Sequence, residues 1–285
     1  MAQAGVLYVV ATPIGNMGDI SARAREILAA VSVVAAEDTR HSSQFLRGLG
    51  LERPLLSLHE QNERARATEL VERMRAGESV ALISDAGTPL VSDPGYLLLR
   101  AALAAGIVVS PIPGACAAIA ALSAAGLPSD RFCFEGFLPA RAAARRRRLA
   151  ELATDSRTLV VYEAPHRIAT SLADIAAACG GARRACVARE LTKHFETFYR
   201  GSLDELVARA KKDDDLRRGE SVIIVEGAPA TQPDAGRLDE TLNVLLRFLP
   251  PSAAAQAAAE LSGVRKNEAY ARALELKPGK RGDSA

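Results

Sequence analysis

The sequence predicts an α/β protein made of two successive α/β domains and a small C-terminal helical segment. Three observations predict it. Short β-branched runs alternate with amphipathic stretches in the first half, the pattern of a largely parallel sheet covered on both faces. The chain has 285 residues, 48% apolar and 25% charged, enough for two hydrophobic cores. Proline, glycine and charged residues interrupt the pattern near 127–131 and again at 227–236. The expected domains are therefore 1–127, 128–228 and 229–285.

Taken in order, residues 6–11 read as the first strand, 21–30 as a helix and 31–36 as the second strand. Residues 37–40 have an ion-paired surface loop as their plain reading. A short strand follows at 55–58, then a charged helix at 63–76 with Leu70, Val71 and Met74 on one side, ended by Gly77. Residues 79–84 form a strand, 95–105 a helix, 107–110 a strand, and 115–125 a helix stopped by Gly126 and Pro128. Beyond the hinge, strands are expected at 132–137, 158–162, 185–188, 197–200 and 221–225. Helices are expected between them at 145–152, 168–178 and 203–211. Residues 237–276 read as small helices and 277–285 as a tail.

Composition removes several classes. No residue from 107 to 127 is charged, a run long enough to span a bilayer. Pro111, Pro113 and Gly114 break it, so no membrane span is expected. Met1 to Gly5 carry no basic segment and lead into only six apolar residues, too few for a signal peptide. Cys116, Cys133, Cys179 and Cys186 have neither disulfide nor zinc spacing, which suits a reducing cytoplasm. His41, His59, His166 and His194 lack metal-ligand spacing too, so no metal is expected.

Strands of an open parallel sheet deliver loops to one edge, where ligands bind. Three loops here combine small residues with proline or glycine, allowing close backbone approach. They are Thr12-Pro13-Ile14-Gly15-Asn16, the run from Ser84 to Gly95, and Pro113-Gly114-Ala115-Cys116-Ala117. There is no G-x-G-x-x-G and no G-x-x-x-x-G-K-[ST], which argues against dinucleotides and nucleoside triphosphates. In isolation, Thr12-Pro13 is a strand-ending turn, and Asp85 and Asp93 are turn formers or helix caps.

The ordered set T-P-I-G-N-M-G-D-I, A-E-D-T-R-H-S, S-L-H-E-Q-N-E, S-D-A-G-T-P-L-V-S-D-P-G and P-I-P-G-A-C-A resembles the tetrapyrrole-methylase superfamily. More narrowly it is similar to the bacterial ribosomal RNA cytidine-2′-O-methyltransferases. Y-E-A-P-H-R, A-R-E-L-T-K-H-F-E and R-G-E extend the resemblance across residues 7–227. It implies S-adenosylmethionine as cofactor, held in a cleft between two α/β domains by backbone and small side chains, and a homodimer. By the resemblance Pro13 and Gly15 line the cofactor. Asp85, Ala86, Gly87 and Thr88 approach its methionine and ribose parts, with Val91 and Ser92 in the same loop, and Cys116 and Ala117 face it from a helix N-terminus. Tyr162, Glu163, Glu190, Leu191, Glu220 and Ser221 are the matching positions of the second domain. The sequence departs from the family's pattern at Ala115-Cys116, where that pattern has Pro-Ser, and so lacks one hydroxyl.

A hydroxyl nucleophile calls for a proton acceptor. Glu37, Asp38, His59, Glu60, Asp85 and Glu190 are candidates; Asp85 and Glu190 are preferred because both lie on loops at the clamp. Net charge is only +2, but its distribution is uneven. Arg145, Arg146, Arg147 and Arg148 form a block with Arg141 one turn earlier, a candidate groove for an RNA backbone. The plain reading of such a run is a solvated helix face. Val264-Arg265-Lys266-Asn267 is a second RNA contact or a solvated cap. Three functions stay open: methylation of a cytidine ribose in small-subunit ribosomal RNA, methylation of a corrinoid or sirohaem precursor, and non-catalytic RNA binding in ribosome assembly. The A-E-D-T-R and S-L-H-E loops and the arginine helix favour the first. The intact T-P-I-G and D-A-G-T-P loops count against the last.

Overall fold

The computed structural model describes residues 4–229 and 235–276. The chain divides into two compact units, Met1–Gly227 and Ala228–Ala285. The larger unit holds two five-stranded sheets. Its first half runs β1 (Val6–Val10), α1 (Ala22–Ala30), β2 (Val33–Ala36), α2 (Thr39–Gly48), β3 (Leu55–Ser57), α3 (Glu63–Arg75), β4 (Val80–Ile83), α4 (Tyr96–Ala104), β5 (Val108–Ile112) and α5 (Ala117–Ala125). The strand order is β3-β2-β4-β1-β5 and every pairing is parallel.

Both faces of this sheet are covered, so β2 and β4 are apolar at every position and wholly buried. Leu7, Val33, Ala35, Val80 and Leu82 pack with Leu70 and Met74 of α3 and Leu98 of α4. On the other face, Val10, Val34, Ala36, Ala81 and Ile83 pack with Leu28 of α1 and Leu46 of α2. Neighbouring strands β1 and β4 send their crossovers in opposite directions, to β2 and to β5. That switch point leaves a crevice at the carboxyl ends of the strands.

Two local readings change. Residues 37–40 do contain the expected ion pair, Arg40 to Asp38 at 3.2 Å. The same aspartate also accepts hydrogen bonds from the Arg40 and His41 amides and so caps α2, a ten-residue helix the sequence reading left out. Strand β5 continues through Pro111 to Ile112 rather than stopping at 110. It is an edge strand bonded to β1 alone, so the missing proline N–H breaks no ladder.

The second half runs β6 (Phe132–Phe137), α6 (Ala142–Leu152), β7 (Thr158–Glu163), α7 (Ile168–Cys179), β8 (Arg184–Arg189), β9 (Thr197–Ser202), α8 (Leu203–Lys212) and β10 (Ser221–Val225). Its order is β6-β7-β10-β8-β9; β6 and β7 are parallel and the other pairings antiparallel. Period-2 alternation sorts β10 between two cores. Ile223 and Val225 face the helices α6, α7 and α8. Val222 and Ile224 face Ala118, Ala121, Leu122 and Ala125 of α5. The sequence reading assigned α5 to the first domain, but it covers the second sheet and ties the halves together.

The smaller unit contains α9 (Ala235–Leu245), α10 (Pro251–Ser262) and α11 (Lys266–Leu276) around Leu238, Leu242, Ala254, Ala258, Ala269 and Ala273. Among the described residues, no helix is long and apolar enough to cross a membrane.

Candidate active site

Four loops at the carboxyl edge of the first sheet meet the second sheet around a cavity of about 470 Å³. Backbone bonds stitch the loops together. Thr12 N–H donates to the Gly87 carbonyl at 2.8 Å, and Gly87 N–H returns a bond to the Thr12 carbonyl at 3.1 Å. The Thr88 hydroxyl donates to the Ala115 carbonyl at 2.9 Å. Gly87 has φ +83°, and a Cβ there would stand 3.2 Å from Ile14 Cγ2. Glycine supplies both the left-handed conformation and the space.

Most of the anticipated cofactor positions line this cavity. They are Asp85, Ala86, Gly87, Thr88, Val91 and Ser92 from the loop after β4, Cys116 and Ala117 at the start of α5, and Tyr162, Glu163, Leu191, Glu220 and Ser221 from the second half. Pro13 and Gly15 do not line it. Pro13 is buried behind Ile14, which does. Gly15 instead meets the second half: a Cβ there would fall 2.5 Å from Lys193 Cγ and 2.9 Å from Thr192 Oγ1. Asn16 N–H donates to the Thr192 hydroxyl beside it, at 3.1 Å. This glycine allows the two halves to touch.

The carboxylates sort by what they already bind. Glu163 reaches the cavity with its backbone, because its side chain is fully buried in another set of bonds. It accepts from Ala164 N–H at 2.9 Å and the Ser171 hydroxyl, and pairs with Arg167 at 3.2 Å. Glu190 lies outside the cavity lining. Its Oε1 accepts from Lys193 Nζ at 2.9 Å and Glu220 N–H at 3.0 Å. Burial alone would raise its pKa, but these bonds outweigh it and hold the carboxyl below its usual range, which makes it a poor base. The preference for Glu190 as proton acceptor is therefore withdrawn. Asp85 lines the cavity and accepts from Asp38 N–H at 3.3 Å. Among the other candidates only Glu37 reaches it, its pKa raised by partial burial and then by Asp85 and Glu60. Asp38 is committed to the α2 cap.

The hydroxyl absent at Cys116 has a substitute in the fold. Cys116 offers α5 no side-chain cap, but the Tyr162 hydroxyl accepts from Ala118 N–H at 3.1 Å. Burial, with the Cys116 thiol beside it, pushes the phenol pKa far above its usual value, so it stays neutral. Phe134 and Phe137 pack edge-on against its ring, with centroids 4.9 and 5.6 Å away.

The sequence reading missed Ile14, Phe137 and, as a chemical group, Asp93, all in the lining. Asp93 left one signal, a second aspartate in the loop that carries Asp85. Burial pushes its carboxyl up to about 6; a hydrogen bond from the Ser84 hydroxyl opposes the shift, and Glu37 and Asp85 add to it.

The arginine block is less available than its sequence suggests. Arg145 is 5% exposed; it binds Asp174 of α7 at 2.7 Å and donates to the Ala140 carbonyl at 3.2 Å. Arg146 pairs with the other Asp174 oxygen at 2.8 Å, and Arg148 with Glu135 at 2.6 Å and Glu151 at 2.8 Å. Arg145 cannot contact RNA. The signal was Leu149 and Leu152, which put Arg145 on the buried stripe of α6. Arg141 and Arg147 are exposed and make no ion pair among the described residues.

The residues fit a sulfonium cofactor: glycine-dependent loops, no cation among the described residues of the lining, and a buried Ser221 hydroxyl on the wall with no bond to any described atom. Comparison with known proteins agrees. Residues 6–207 match the family model for tetrapyrrole (corrin/porphyrin) methylases, and 232–277 match the RsmI C-terminal HTH domain. A Xylella fastidiosa protein named ribosomal RNA small subunit methyltransferase I is 54% identical, over 95% of this chain and 99% of its own. The Pseudomonas aeruginosa protein of that name is also 54% identical, over 95% and 98%. A Thermus thermophilus uroporphyrin-III C-methyltransferase, solved with S-adenosyl homocysteine, shares the fold at TM-score 0.55 and 19% identity, covering 78% of this chain and 97% of that one. This chain belongs to the tetrapyrrole (corrin/porphyrin) methylase family.

Proposed function

We propose that the chain is an S-adenosylmethionine-dependent methyltransferase acting on small-subunit ribosomal RNA, at the 2′-hydroxyl of a cytidine ribose. The observation that carries the reading is a cavity between the two sheets in a chain that matches ribosomal RNA small subunit methyltransferases over nearly their whole length. When bound, the cofactor supplies a methyl group already activated on a sulfonium. What remains for the protein is to align two reactants, exclude water and take up a proton. Alignment contributes an effective molarity of about 10⁵–10⁸ M.

Ala86, Gly87 and Thr88 offer backbone, and Ser221 a hydroxyl, to the cofactor. Val91, Cys116, Ala117 and Leu191 are its apolar walls. Phe137 and Tyr162 shield the reacting centre from water. Two lobes, 1–127 and 128–228, close this cleft, and 229–285 is an appendage. Arg141 and Arg147, with the outer face of Arg146, meet RNA phosphate. The protein works in the cytoplasm as a homodimer on the small ribosomal subunit.

The test is label transfer from methyl-labelled S-adenosylmethionine to undermethylated small subunits, to free ribosomal RNA and to a precorrin. Label in a cytidine ribose supports the reading; label in the precorrin alone overturns it.

A further inference from the structure

We propose that Asp93 accepts the hydroxyl proton during methyl transfer, an inference that rests on the methyltransferase reading above. Its position is built by unusual backbone. Leu90 (φ +74°), Ser92 (φ +70°) and Gly95 (φ +126°) surround it, and the two non-glycine residues are held in a strained left-handed conformation. The turn is also wedged: a Cβ on Gly136, in the bulge of β6, would stand 3.0 Å from Ser92 Oγ. Glu63 fixes its far end by accepting from Gly95 N–H at 3.1 Å and Leu97 N–H at 2.6 Å. The effect is to hold a half-buried carboxylate on the cavity wall.

The other carboxylates of the site are engaged or more open. Glu163 is saturated, Glu220 is paired with Lys193 at 2.8 Å, and Asp85 and Glu37 are exposed. Asp93 has no ion pair among the described residues. The groups around it are Ser84 and Asp85 after β4, Glu37 after β2, and the neutral Tyr162 phenol on β7. None is a cation; the Ser84 hydroxyl is the one group that lowers its affinity for a proton, and burial outweighs it. At about 6 it is ionised at neutral pH yet more basic than a free carboxylate, as a general base should be. Proton arrival also relieves its repulsion with Glu37 and Asp85. In the step, the ribose oxygen bonds to the methyl carbon as the carbon–sulfur bond breaks with its electron pair to sulfur. The hydroxyl proton passes to an Asp93 carboxylate oxygen and then to solvent.

The experiment uses the full chain, labelled S-adenosylmethionine and undermethylated small subunits. Asp93→Asn should lower the single-turnover rate by about 10²–10⁴-fold. Its Kd for S-adenosylmethionine by calorimetry should stay within about threefold of the unsubstituted protein's, under 1 kcal/mol. The unsubstituted protein's rate should rise with pH to a plateau with an inflexion near 6; Asp93→Asn should lose that inflexion and Asp93→Glu restore it. In the cofactor-free protein, carboxyl NMR should find Asp93 titrating near 6. An Asn variant with the unsubstituted rate and pH profile overturns the proposal, as does a loss confined to Kd or a titration near the ordinary 3.8. No transfer by the unsubstituted protein overturns instead the methyltransferase reading.

Discussion

Gly87 and Asp93 show how single residues set this site. At Gly87 the φ of +83° and the neighbouring Ile14 leave no place for a β-branched side chain. Gly87→Val should abolish S-adenosylmethionine binding in calorimetry. The protein should still fold with an unchanged circular-dichroism spectrum, because strain of about 1–3 kcal/mol is within its expected stability. Asp93 carries a stability consequence of its own. Its folded-state pKa is raised, so the protonated carboxyl contributes stability below about pH 4, which is lost as pH rises through about 6. Asp93→Asn, which does not ionise, should therefore melt a few degrees higher than the unsubstituted protein at pH 8 and at the same temperature at pH 4. A lower melting temperature at pH 8 would contradict the burial of this carboxylate. The expected cost of that added stability is activity.

Among the elements, α6 shows how a charge run divides between structure and surface. Four consecutive arginines wrap most of a helix, so one of them must face inward, and Arg145 does so against Asp174. Asp174→Ala leaves that guanidinium buried and unpaired and should cost about 3–5 kcal/mol in denaturant unfolding. Arg147→Ser should stay within about 0.5 kcal/mol. Replacing Arg141 and Arg147 together by serine should flatten the salt dependence of RNA binding by about 0.7 per lost phosphate contact. An unchanged slope would make them solvated surface. The carbonyls of Pro139 and Ala140, held by Arg145, lie two and three residues after Phe137, so the buried arginine also steadies one wall of the cavity.

For the whole molecule, the described residues that line the cavity fall between Ile14 and Val222, inside the first compact unit. A chain ended at Gly227 should keep its S-adenosylmethionine affinity in calorimetry and its own cooperative melting transition. Lost affinity would give the helical unit a part in the cofactor site. The smaller unit has a separate core of leucines and alanines, and it carries Arg265, Lys266 and Asn267 exposed at its last helix. Its removal should weaken binding to ribosomal RNA more than binding to cofactor.

The strands of the first sheet and its helices other than α2 were legible because β2 and β4 are continuous apolar runs and α3 has a periodic face. The loops of the site were legible because glycine and proline mark where backbone must turn sharply. Cofactor class and family followed from the ordered motifs. The sequence could not say that α5 covers the second sheet, that Gly15 serves contact between the halves, or that Arg145 is consumed by an internal ion pair. Nor could it single out Asp93 from the other carboxylates. Local conformation follows from neighbours along the chain, whereas burial, pairing and pKa depend on groups brought together from distant positions. Only the folded arrangement decides those.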